Sequence, residues 1–175
     1  LWYRIGCMYL HGIGTEADET KAEHYLTKAS DYGNTHASYQ LARLYIRQES
    51  QKLSGESGTE LDVEKIAKAV KWLEESAAQE NLFADYALGR LYREGTLVVA
   101  DMEKAVFHLK RAADAGNSYA QYQLGKIYLE EDTRNIPAAI QYLTLAAKQK
   151  NEFAAYRLGK LYLAGEELPK NTELA

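Results

Sequence analysis

At 175 residues the chain is long enough for one ordinary domain, and 46% hydrophobic residues beside 26% charged ones exclude a disordered polymer. Two prolines, with abundant Ala, Leu, Lys, Glu and Gln, predict helix rather than sheet. A formal charge of -4 with no basic run argues against nucleic acid as a partner, no apolar run reaches the roughly 20 residues of a membrane span, and the single Cys7 excludes an internal disulfide.

The first predicted helix carries YRIGCMY at 3–9, followed by HGIG at 11–14 as a loop. Lys21 opens KAEHYLTKAS, whose apolar spacings of three and four predict a second helix. The opening wording then returns as YQLARLY at 39–45, YALGRLY at 86–92, YQLGKIY at 122–128 and YRLGKLY at 156–162. Partner helices begin KAVKWLEESAA at Lys68, KAVFHLKRAA at Lys104 and AAIQYLTLAA at Ala138. The central small residues, Gly6, Ala42, Gly89, Gly125 and Gly159, lie 36, 47, 36 and 34 apart, the period of a helix-turn-helix repeat.

Punctuation fits this division. Asp18, Asp62, Asp101 and Asn135 precede the second helices, where a short side-chain oxygen caps free N–H groups. Asn34, Asn81, Asn117 and Asn151 follow them and read as stop signals, two with Gly33 or Gly116 in front to supply a left-handed turn. The predicted array covers 1–175 as repeats 1–34 (with a truncated start), 35–81, 82–117, 118–151 and a partial 152–175. The long interval holds about 11 extra residues around QKLSGESGTELD, expected as a loop over 48–61, a tolerated surface insertion with a binding loop as the alternative.

The signature A-x-Y-x-L-G-x-L-Y, at Ala37–Tyr45, Ala84–Tyr92, Ala120–Tyr128 and Ala154–Tyr162, resembles the Sel-1-like repeats, relatives of the tetratricopeptide repeats. The resemblance covers essentially the whole chain. It implies an all-α, right-handed solenoid of antiparallel helix pairs, with first helices lining a concave surface. Ala42 departs from the central Gly, and His108 stands where Tyr25, Trp72 and Tyr142 place an aromatic ring. More narrowly, YRLGKLYLAGEELPKNTELA is similar to Sel-1-like arrays attached to relaxases, the DNA-nicking mobilisation proteins of conjugative elements in Gram-positive bacteria.

At 100° per residue, Ala37, Leu41, Leu44 and Tyr45 share one helix face, and His36, Tyr39, Arg43 and Arg47 the opposite one. The first face is core, including Leu41, Leu88, Leu124 and Leu158. On the second, a tyrosine precedes a cation by four residues in four successive copies: Tyr39 and Arg43, Tyr86 and Arg90, Tyr122 and Lys126, Tyr156 and Lys160. His36, Phe83, Tyr119 and Phe153 add an aromatic edge three positions earlier. First helices about 10 Å apart would offer an extended peptide, at about 3.3 Å per residue, a new rung every third residue. These eight residues are the candidate partner-binding site, suited to a peptide with carboxylates and apolar side chains. The alternative is packing, with the tyrosines lodged between repeats and the cations solvated or paired with acids such as Glu94 and Glu130.

No catalytic residue, metal ligand or cofactor is expected. His11, His24, His36 and His108 lack ligand spacing, Cys7 has no activating partner at a suggestive interval, and HGIG is no phosphate-cradling loop. The expected function is a non-enzymatic interaction scaffold that binds a protein or peptide on the concave face, in the cytoplasm, with no membrane. The alternative is an accessory repeat region of a relaxase whose catalytic domain lies elsewhere. A structural spacer with no specific partner is a third reading. Leu1 is not an initiator Met, and neither end reads as a polar cap, so end-to-end self-association is also expected to be possible.

Overall fold

The computed structural model describes residues 1–55 and 60–164. Nine α-helices and one short 3-10 turn make up its regular structure, with no strand among the described residues. Contacts divide the chain into two compact units, Leu1–Asp101 and Met102–Ala175. The boundary falls inside the expected repeat 82–117.

The first unit contains α1 (Trp2–His11), α2 (Glu19–Asp31), α3 (Thr35–Ser54), α4 (Val63–Ala78) and α5 (Leu82–Glu94). Each helix packs on its neighbours in sequence, most extensively within the pairs α1–α2 and α3–α4. Ala22, Leu26, Ala37, Leu41, Ala69, Leu73, Ala84 and Leu88 are fully buried along these contacts. Small residues let the helices approach closely and leucines fill the seam. Gly6 shows how close: a Cβ there would lie 2.7 Å from Leu26 Cγ.

The second unit contains α6 (Met102–Asp114), α7 (Ser118–Ile127), α8 (Ile136–Lys148) and α9 (Glu152–Ala164). Leu109, Leu124 and Leu143 have no exposed surface, and Leu158 keeps 9%. The four motif leucines therefore occupy the core as expected. Gly125 repeats the tight approach of Gly6, with a hypothetical Cβ 2.6 Å from Leu143 Cγ.

The caps revise one expectation. Asp18, Asp62 and Asn135 do start second helices, accepting from the N–H of Lys21, Lys65 and Ala138. The asparagines read as stop signals instead start the next first helices: Asn34, Asn81, Asn117 and Asn151 accept from Ala37, Ala84, Ala120 and Ala154. Their position three residues past each second helix is a start position because only two residues separate it from that helix. The preceding residue supplies the left-handed backbone, at Gly33 (φ 79°) and Gly116 (φ 94°), but also at Glu80 (φ 61°) and Lys150 (φ 64°), which carry a side chain there.

The expected loop over 48–61 is also corrected. Helix α3 continues to Ser54, so residues 48–54 are helical, and 56–59 lie outside the described residues. The cause is local. In three repeats the residue capping the second helix donates its N–H to the carbonyl of the motif's second tyrosine, Asp18 to Tyr9, Asp101 to Tyr92 and Asn135 to Tyr128, each at 2.9 Å. In the long repeat Asp62 donates instead to Glu49 Oε2 at 2.8 Å. Glu49 lies one helical turn beyond Tyr45 and is 1% exposed, with Lys52 Nζ 2.8 Å from its Oε1. Burial pushes this carboxyl up, but the Lys52 ammonium and the Asp62 N–H outweigh that and hold it below its ordinary value.

Candidate partner-binding site

Each first helix has two aromatic positions with different fates. The second tyrosines are structural. Tyr45 and Tyr92 are buried, and their hydroxyls donate to Glu23 at 2.9 Å and Glu74 at 3.4 Å, acids on the preceding second helices. Burial, then the Glu23 carboxylate, raise the Tyr45 phenol well above its ordinary value. Tyr9, Tyr45 and Tyr128 also meet the ring of the second helix in their own repeat, Tyr25, Trp72 and Tyr142, at centroid separations of 5.7, 5.7 and 6.0 Å. The motif predicts these tyrosines in the core, and their acid partners Glu23 and Glu74 lie on second helices outside the motif.

The first tyrosines lie elsewhere. Tyr39, Tyr86 and Tyr122 are half-buried, and Tyr156 is exposed. Burial raises the Tyr39 phenol, although Arg43 opposes the shift. The cations sit over the ring one turn earlier, Arg43 5.7 Å from the Tyr39 centroid, Lys126 5.7 Å from Tyr122 and Lys160 5.3 Å from Tyr156. Arg90 reaches one turn forward as well, donating from Nε and Nη2 to Glu94 Oε1 at 3.0 and 2.7 Å. The acid pairing considered from sequence thus exists at Arg90.

The aromatic edge crosses repeat boundaries. His36 on α3 meets Tyr3 on α1 edge-on at 6.1 Å, and Phe153 on α9 meets Tyr122 on α7 at 6.0 Å. Tyr122 also packs against the cluster of Leu143, Ala146, Ala154 and Leu158, so the first tyrosines combine packing with exposure. Phe83, Tyr119 and Phe153 remain largely exposed.

In the first unit this surface deepens into a pocket of about 430 Å³. Tyr3, His36, Tyr39 and Phe83 form its aromatic walls, and Gln40, Ser76, Gln79 and Asn81 its polar ones. Asn81 is committed to the fold, donating to Ser76 Oγ at 2.9 Å while capping α5. No Asp, Glu, Lys or Arg lines the pocket. Of its polar wall, Gln79 and Asn81 come from the α4–α5 turn, Gln40 from α3 and Ser76 from the end of α4. Among the described residues no three His, Cys, Asp or Glu side chains converge as a metal-holding group, and no described helix is long and apolar enough to cross a membrane.

Tandem antiparallel helix pairs, capped alike and packed through the same small residues and leucines, define an all-α helical repeat protein. The Sel1 repeat family profile matches residues 3–34, 35–81, 82–117, 118–151 and 153–175, and the chain belongs to that family. It is similar to the structure of a Sel1 repeat protein from Oxalobacter formigenes, at 28% identity and a TM-score of 0.79, over 99% of this chain and 67% of that one. It is also similar to a protective antigen of uropathogenic Escherichia coli strains with an SLR fold, at 26% identity and a TM-score of 0.79. That match takes in 99% of this chain but spans only 35% of the antigen. No curated protein matches the chain significantly.

Proposed function

We propose that the chain is a non-enzymatic scaffold that captures a protein or peptide through the outward side of its first helices. Sel1 repeats are in general modules for protein–protein interaction. The carrying observation is that, within each unit, exposed or half-exposed cations lie over the first-tyrosine rings, Arg43 over Tyr39 in the first and Lys126 over Tyr122 and Lys160 over Tyr156 in the second. Such a surface accepts carboxylates at the cations and apolar groups at the rings. The test is the double reversal Arg43→Glu and Lys126→Glu in the parent protein. Loss of partner capture with an unchanged melting curve supports the reading, and undiminished capture by the folded variant refutes it.

The relaxase-attached context is a second proposal. It rests on the wording of 156–175, of which 165–175 lie outside the described residues. It predicts affinity for DNA that falls linearly in log salt, whereas the scaffold reading predicts little DNA binding by a chain of charge -4.

A further inference from the structure

The pocket in the first unit has a composition that selects among peptides. Its volume of about 430 Å³ lies in the range of sites that enclose a small ligand or side chain. Its lining carries no carboxylate, ammonium or guanidinium, so the occupant is uncharged where it is enclosed. Rings form one side, and Phe83 keeps 59% of its surface in water although it lines a depression. Ser76 and Asn81 are bonded to each other, Gln40 to the Tyr3 hydroxyl and Tyr39 to Arg43, so the polar lining that remains for a ligand is chiefly the exposed Gln79 carboxamide, with the second N–H of the Gln40 carboxamide and the Tyr39 O–H. These groups can donate to peptide carbonyls.

We propose that this pocket binds a proline-rich segment in the polyproline II conformation, with a flanking acidic residue meeting Arg43. The inference rests on the reading of the first-helix face as the partner-binding surface and names the class of partner. Three arguments carry it.

The first is hydrogen bonding. A polyproline II chain has no internal hydrogen bonds, so its carbonyls are free for carboxamide and phenol donors, and its prolines bring no N–H to be stranded over aromatic faces. The second is period. First helices about 10 Å apart, each with one second helix packed between it and the next, would match one polyproline II turn of three residues, about 9.3 Å, so that the same side of the ligand returns at each rung. A β-strand alternates sides every residue, and its third residue along faces away. The ring pair of Tyr3 and His36, with Tyr39 and Phe83 lining the same pocket, places aromatic rings from α1, α3 and α5 around it. The third is charge: Arg43 is exposed one turn beyond Tyr39, whereas Arg90 already holds Glu94, which places the acidic residue at the Arg43 flank.

The experiment measures fluorescence anisotropy of two labelled probes with the 175-residue chain. One is an octaproline with a single flanking Glu, and the other a Gly/Ser peptide of the same length and charge. The proline probe is expected to bind at least about tenfold tighter. Phe83→Ala and Gln79→Ala, both at exposed positions, are each expected to weaken it by about three- to tenfold at unchanged helicity. Equal affinity for the two probes overturns the polyproline assignment but leaves the binding face intact, provided Arg43→Glu weakens both. No binding of the proline probe up to about 1 mM, or affinity unchanged in both pocket variants, also overturns the inference. Partner capture by the Arg43→Glu, Lys126→Glu parent then judges the scaffold reading separately.

Discussion

Replacing Glu49 by alanine tests how the long repeat is closed. The carboxylate accepts the Asp62 N–H at 2.8 Å and meets Lys52 at 2.8 and 2.9 Å while almost wholly buried. A hydrogen bond to a charged group is worth about 1.5–3 kcal/mol, and removing the side chain adds a cavity. Lys52 keeps 30% exposure and regains water, so its share is small. The expected loss is about 2–4 kcal/mol, lowering the melting temperature by roughly 5–15 °C for a chain of this size. Glu49→Gln keeps a carbonyl acceptor but loses the charge, and costs about 1 kcal/mol. The pH dependence has a definite sign. Because the folded carboxyl is held below its ordinary value, its contribution is full above the unfolded value, about pH 4.3, and is lost as pH falls through the folded one. Urea unfolding at pH 7 should separate parent, Gln and Ala variants in that order, and the gap between parent and Gln should close in acid. An alanine variant within about 0.5 kcal/mol of the parent at pH 7 would refute the clasp.

Glu80→Gly and Lys150→Gly should each stabilise the protein by about 0.5–1 kcal/mol in thermal melts, since both side chains sit at positive φ. The converse, Gly116→Ala, should cost about 1 kcal/mol although nothing lies within 4 Å of the added methyl, which isolates the backbone term. Gly125→Ala should destabilise by about 1–2 kcal/mol through its clash with Leu143, read from the urea midpoint. Asn117→Ala, which strands the N–H groups of Tyr119 and Ala120, should lose about 1–2 kcal/mol in the same assay.

The core leucines were legible because they are periodic, and packing between like helices forces the same residue to recur at the same place. Departures from the period were harder to read. Serine and glycine in the insertion point to a loop, but Glu49 and Lys52 sit three residues apart where the other repeats turn, and their ion pair lies within the roughly two extra turns that carry α3 to Ser54. The asparagines were identified as punctuation but assigned to the wrong helix, because two residues of turn leave stop and start almost superposed. The eight candidate residues form i,i+4 pairs that a helix makes unavoidable. The pocket draws Gln79 and Asn81 from a turn 40 residues from Tyr39, a juxtaposition that no local pattern encodes.

The seating of Arg43, Lys126 and Lys160 over their own tyrosines bears on how tightly the proposed surface would hold an acidic partner. A free lysine or arginine surrenders much of its rotamer freedom when a carboxylate captures it. Here the neighbouring ring has already narrowed that freedom, so less remains to be lost at the moment of contact. Substituting these tyrosines by leucine would keep the apolar bulk and set the cations loose. The consequence would be faster dissociation of the partner rather than slower arrival.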